Sequence, residues 1–319
     1  MISSVMTRAD AHPPQRLVVF GEFFLDLVFY DLPRVPAMGE EVKTAQFAMF
    51  PGGGVATTAL VAAGLGTPTA VITRVGQDAR TNPAWQKLVH SGISTDGCVF
   101  DKRLATALTV CASYKGDRMM ITHEAINKNL VRLLAMAAAQ KQLQKAKLLH
   151  LACALLPFSA WAKIIEQWKR RGLALSADIG WNPQLWESPR LFPMLKHFAF
   201  VFPNEQEARA MTGEKSVEKA ARALSRWTKT PVVKLGKDGS LAVRDGKLMR
   251  LKSLRVRAVD ATGAGDAFNG GFLHAHLSGW PLEQCLQAGN VCGALAITGP
   301  GGSCAIPSLR KLKELMRKL

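Results

Sequence analysis

The six cysteines (Cys98, Cys111, Cys153, Cys285, Cys292 and Cys304) include no CxxC pair. A chain of 319 residues needs no disulfide staples, so reduced thiols in a cytosol are expected. Residues 1–14 have no apolar h-region and read as a loose N-terminal extension, not a signal peptide. No apolar run is long enough for a bilayer: the longest, 148–158, contains His150 and Pro157. Cytoplasmic localisation and no membrane partner are expected. Low-complexity stretches are few and no internal repeat is present, so disorder and repeat architectures are set aside. The net charge of +17 is accompanied by no RNP-like aromatic motif, zinc-finger spacing or helix-turn-helix signature. The basic residues are scattered, densest over Arg310–Lys318, and describe a solvated surface, not a nucleic-acid site. Such a surface also attracts polyanions.

Two familiar nucleotide signatures are missing too. Gly236-Lys237 is followed by Asp238 and lacks the upstream glycine of a Walker A loop. Gly52-Gly53-Gly54-Val55-Ala56-Thr57 is preceded by Pro51, with no acid at the distance a dinucleotide fold requires. His274 and His276 are alternate residues of a predicted helix, so they face different ways and make no zinc pair.

What is present is a hydrophobic fraction of 48%, enough for one large α/β core. Short apolar strands are predicted at 16–21, 70–73, 146–152, 174–178, 198–202 and 231–235. Helices such as Ser159–Arg171 and Asn204–Thr212 lie between most of them. This alternation predicts a parallel sheet covered on both faces. Segments 28–50 and 98–126 alternate apolar and polar residues instead, which predicts half-buried antiparallel strands outside the main sheet. The expected division is a core of 15–27, 51–97 and 127–310, a β lid of 28–50 and 98–126, and a basic tail of 311–319.

The most informative stretch is Val259-Asp260-Ala261-Thr262-Gly263-Ala264-Gly265-Asp266-Ala267-Phe268. Its small residues let backbone N–H groups approach an anion, and a helix over about 264–277 adds its positive N-terminus. Asp266 lies in the first turn, where the helix dipole is expected to keep it ionised and able to take a proton from an attacking hydroxyl. The alternative is a glycine-rich helix start that serves packing.

The segment Asp260–Asp266 resembles the C-terminal signature of the ribokinase-like, PfkB-type carbohydrate kinases, and three further stretches follow in that family's order. Pro51–Ala59 resembles the di-glycine motif, Val201–Ala208 the Asn-x-x-Glu motif, and Val233–Gly239 the nucleotide-side strand and turn. The resemblance runs over about residues 16–306. It implies a ribokinase-like three-layer α/β/α core with a mainly parallel sheet plus a small β-sheet lid. It also implies ATP-dependent phosphorylation of a sugar or polyol hydroxyl.

Residue by residue, the resemblance makes Asp266 the base and Gly263, Ala264 and Gly265 the anion hole. Asn204, Lys234, Gly236, Gly239, Thr262 and Asn290 would bind ATP, and Glu207 would hold Mg2+ through water. A helix cap is the alternative for Asn204 and Glu207. Asp26, Gly52, Gly53, Thr57 and Asn127 would meet the sugar; an exposed loop acid and a plain tight turn are the alternatives at Asp26 and at Gly52-Gly53. A monovalent cation such as K+ would sit at the backbone of 259–261 and 300–303, and a homodimer through the lid fits the family.

Two departures fall on the acceptor side. Thr57 stands where the family often has Asn, and His123–Asn127 only loosely resembles its Gly-Ala-Asn segment. Lid aromatics Tyr30, Phe47 and Phe50 keep a nucleoside acceptor open, and a non-catalytic sugar or nucleotide sensor is the rival of another class. Lys43, Arg80, Arg103 and Arg118 are candidates to meet a phosphosugar.

Overall fold

The computed structural model describes residues 17–114, 117–303 and 305–319; the expected N-terminal extension lies outside them. The strands are β1 (Leu17–Gly21), β2 (Phe24–Phe29), β3 (Phe47–Gly52), β4 (Thr69–Ile72), β5 (Arg74–Gly76), β6 (Val99–Asp101) and β7 (Leu108–Tyr114). They continue with β8 (Asp117–His123), β9 (Leu148–Ala152), β10 (Ala174–Asp178), β11 (Phe200–Val201), β12 (Thr230–Lys234), β13 (Ser240–Arg244) and β14 (Lys247–Leu251). The main sheet has the order β14-β13-β12-β11-β10-β9-β1-β4. It is parallel from β12 to β4.

Apolar runs such as Leu17-Val18-Val19-Phe20 follow from burial on both faces. Leu17 and Val19 join the core cluster that holds Val55, Phe268, Phe272 and Val291. Val18 and Phe20 point the other way, toward Trp161, Ile165, Trp168 and Leu224. Burying each such side chain contributes about 1.5–3 kcal/mol. The first of these layers holds the helices Gly53–Gly64, Ala264–Leu277 and Leu282–Ala296.

The antiparallel hairpin β13–β14 extends the sheet beyond the strands expected from sequence. Its turn is Asp245-Gly246, both at positive φ (51° and 75°), the dipeptide favoured for two-residue hairpin turns.

A second, four-stranded sheet has the order β3-β2-β7-β8. Its strands reach beyond 28–50: β2 begins at Phe24 and β3 ends at Gly52. The expectation of antiparallel strands holds for β2–β3 and β7–β8, whereas β2 and β7 run parallel. These two come from different insertions, so no hairpin forces them to oppose. Residues 99–101 leave this sheet and pair instead with β5. The basic C-terminal segment is a helix, Leu309–Met316, whose Leu312 and Leu315 are buried. Among the described residues, no helix is long and apolar enough to cross a membrane.

Candidate active site

Asp260 fixes the turn that precedes the helix Ala264–Leu277. Its Oδ1 accepts hydrogen bonds from the Thr262 amide (2.9 Å) and hydroxyl (2.6 Å), and its Oδ2 accepts one from the Gly301 amide (3.0 Å). Gly263, the residue before the helix, has φ 69°. A Cβ there would meet Gly302 Cα at 3.1 Å and Thr57 Oγ1 at 3.4 Å. Small residues therefore keep this helix start open, and its first N–H groups lack intrahelical partners. The structure thus places Thr57 beside the glycine turn, while the Thr262 hydroxyl is spent on Asp260.

Asp266 follows at the third helical position, and the Thr58 hydroxyl donates to its backbone carbonyl (3.1 Å). A Cβ on Gly54 would lie 3.0 Å from Asp266 Oδ1, and one on Gly52 would collide with the Asp26 carboxylate. The turn that starts the helix Gly53–Gly64 is therefore flanked by both acids. Asp26 is buried on β2, not exposed in a loop. Burial first, then the nearby Asp266 and Asp260 charges, raise it to about 7. Gly53 adopts φ 79° with its Cα against the Glu22 carbonyl. Asn127 is buried, and among the described residues neither its side-chain nitrogen nor its oxygen has a partner.

On the other side of Gly265 a cleft of about 1110 Å³ opens. Lys234, Gly236, Gly239 and Asn290 line it together with Ala264 and Gly265. Leu254, Val256, Phe268 and Ile297 supply apolar walls, as a flat heterocycle requires. The Asn290 amide donates to the Lys252 carbonyl (3.1 Å) and so fastens the cleft wall. Asn204, Glu207 and Thr262 are not among the lining residues. Asn204 and Glu207 form a capping box, with both reciprocal hydrogen bonds at 2.8 Å. Asn204 also bridges Lys234 in the sheet.

The sequence reading passed over Asp178, at the end of β10. Its Oδ2 accepts from Lys234 Nζ (2.5 Å) and from Asn269 Nδ2 (2.7 Å). The signal was available: an acid closes an apolar run at the carboxyl end of a parallel strand, where ligands bind in such folds. Lys234 holds Asp178 below the usual carboxylate range against the opposing effect of burial. The expectation that Asp266 stays ionised is corrected. Desolvation and the Asp178 charge outweigh the helix dipole and raise it to about 7. Glu207 is also raised, by burial and then by Asp178.

Among the described residues no group of three or more His, Cys, Asp or Glu side chains could hold a metal ion. Mg2+ needs no such cage, since it keeps waters and takes one or two carboxylates beside substrate phosphates.

Residues 14–309 match the pfkB family carbohydrate kinase domain. The chain is 26% identical to the ribokinase of Haemophilus influenzae over 308 residues, 94% of this chain and 98% of that one. It is 29% identical to the cytidine kinase of Thermococcus kodakarensis over 287 residues, 86% of this chain and 92% of that one. A solved structure of a candidate ribokinase II from E. coli, in complex with ATP and Mg2+, has the same fold. Its TM-score is 0.81 at 22% identity, covering 96% of this chain and 100% of that one.

Proposed function

The chain belongs to the pfkB family of carbohydrate kinases, and from that premise we propose that it transfers the γ-phosphate of ATP to a hydroxyl of a sugar or related polyol. One observation carries the reading: Asp266 stands against Gly54 on one side, while its neighbour Gly265 lines the large cleft on the other. A base set between an acceptor turn and a nucleotide cleft is what in-line transfer requires.

The acceptor would lie along Asp26 and the Gly52-Gly53 turn, with Asn127 free to offer its amide. Asp26, accepting two hydrogen bonds, suits neighbouring hydroxyls. ATP would occupy the cleft of Lys234, Gly236, Gly239 and Asn290, its γ-phosphate at the Gly263–Gly265 helix start. Glu207 would hold Mg2+ through water, and the ion would supply charge neutralisation on the phosphates. A monovalent cation such as K+ would sit among the carbonyls of 259–261 and 300–303, segments that Asp260 ties together. The four-stranded sheet would close as a lid and limit hydrolysis of ATP.

A nucleoside acceptor is the second reading. It is favoured by Phe50, whose ring packs on Gly301 beside the anion turn, where a base could stack. ADP release, measured with ATP, Mg2+ and a panel of free sugars, phosphosugars and nucleosides, separates the readings. Turnover on a sugar above the ATP-only background is the expected result; turnover on nucleosides alone selects the second reading. Binding of sugar or nucleotide with no turnover on any acceptor would make the protein a sensor.

A further inference from the structure

Lys234 is almost fully enclosed: its side chain is 13% exposed, and Asp178 beside it 11%. Three carboxylates act on its charge, those of Asp178, Glu207 and Asp266. They come from β10, from the helix Glu205–Thr212 and from the helix Ala264–Leu277. Among the described residues, only Asp178 is hydrogen-bonded to its ammonium. An ammonium has three donors, so two N–H groups remain after that bond. Lys234 also lines the large cleft. A Cβ on Gly265 would lie 3.1 Å from Lys234 Nζ, so the ammonium rests against the second residue of the helix whose N-terminus forms the anion turn. Asp178 in turn is fixed by Asn269, one turn further along that helix.

From this geometry we infer that Lys234 is a built-in cation for the transferring phosphoryl group, and that Asp178 is the residue that positions it. The inference rests on the kinase reading above and assigns the γ-phosphate end of that site. In the step it serves, the acceptor oxygen forms a bond to the γ-phosphorus and gives its proton to the Asp266 carboxylate. The bond from that phosphorus to the β,γ-bridging oxygen breaks, and ADP leaves with the electron pair. Lys234 donates to a γ-phosphoryl oxygen throughout, adding its fixed charge to the backbone N–H groups of the helix start. Asp178 touches no reacting atom. It holds the ammonium against Gly265 and, through its own charge, makes Asp266 a stronger base.

Equilibrium binding and pH profiles test this together. In Lys234→Met, affinity for a non-hydrolysable ATP analogue should fall about tenfold or more, the scale of a charged hydrogen bond. Affinity for ADP, which lacks the γ-phosphate, should stay within about twofold, because the charged contact is made to that group alone. The acid limb of kcat/KM should move in opposite directions in two variants. It should rise in Lys234→Met, which loses a cation near Asp266, and fall in Asp178→Asn, which loses an anion. A purely structural ion pair predicts equal weakening of both nucleotides; that result, or acid limbs that fail to move apart, overturns the inference and leaves the kinase reading intact. Should Lys234→Met not fold, Asp178→Asn decides alone, since an unmoved acid limb contradicts the positioning role. A wild-type protein that binds neither nucleotide overturns the kinase reading and this inference with it.

Discussion

Asp266 must be ionised to accept a proton, yet desolvation and Asp178 raise it to about 7. The proton-accepting form therefore grows as pH rises through 7 and is lost below it. We expect kcat in the ADP-release assay to climb between pH 6 and pH 8, and a flat profile over that range would remove Asp266 as the titrating base. Asp266→Asn should lower kcat by about 10²-fold or more, the usual contribution of a positioned base. Nucleotide affinity should be little changed, because the cleft walls do not depend on this side chain; undiminished turnover would refute the mechanism. Asp266 was visible in the sequence because small residues and a helix start announced it. Its protonation was not, because the deciding charge, Asp178, is remote in sequence and reaches Asp266 only through the sheet order. Asn204, Glu207 and Thr262 differ, because their partners are near in sequence. Their spacing was legible, and with it the cap that Asn204 and Glu207 form; the Thr262 hydroxyl is engaged in the neighbouring turn.

Elements carry this site by close backbone approach. Gly270 and Gly271 let the helix Ala264–Leu277 sit tightly between Gly53–Gly64 and Leu282–Ala296. A Cβ on Gly271 would meet Cys292 Sγ at 2.6 Å and the Ala288 carbonyl at 2.7 Å. Backbone cannot yield as a flexible side chain can, so Gly271→Ala should push the two helices apart. Overpacking of this kind costs about 1–3 kcal/mol, read as a lower urea midpoint. Because the displaced helix carries Asp266, kcat should fall as well; unchanged stability would mean that the helices slide without cost. The parallel strands were legible because burial on both faces leaves continuous apolar runs. The β13–β14 hairpin carried a local signal, Asp245-Gly246 between alternating residues, that strand–helix alternation obscured. The parallel pairing of β2 with β7 had no local signal at all, since it depends on where two separate insertions leave the core. Likewise the basic run 310–318 reads as a solvated tail until Leu312 and Leu315 are seen to be buried.

Across the whole molecule, acids wholly or partly buried in and beside the site set stability and activity against each other. Glu22, Asp26 and Asp266 all lie near 7 in the folded protein, well above ordinary carboxyl values. A group raised on folding binds its proton more tightly in the native state, so it adds stability at low pH and loses it as pH rises through the folded value. The buried histidines His150 and His274 are lowered to about 4 by desolvation. Their contribution has the opposite sense: it is present above 6.5 and is lost only as pH falls below that. Carboxylates held low by partners, such as Asp178, lose stability only in stronger acid. Between pH 8 and pH 6.5 the raised acids therefore act alone, and Tm should rise as pH falls through that window while turnover declines. Below 6.5 the histidines oppose the trend and Tm should level off. Asp26→Asn should flatten the rise, because it removes one of the titrating groups. A Tm that instead increased from pH 6.5 to pH 8 would show that the site acids are ionised at no cost to the fold. The net charge of +17 bears on the same balance, since a positive molecule offers these carboxylates a favourable field. That field acts at long range and is screened by salt, whereas desolvation is local. Raising the ionic strength should therefore leave the sign of the Tm trend unchanged.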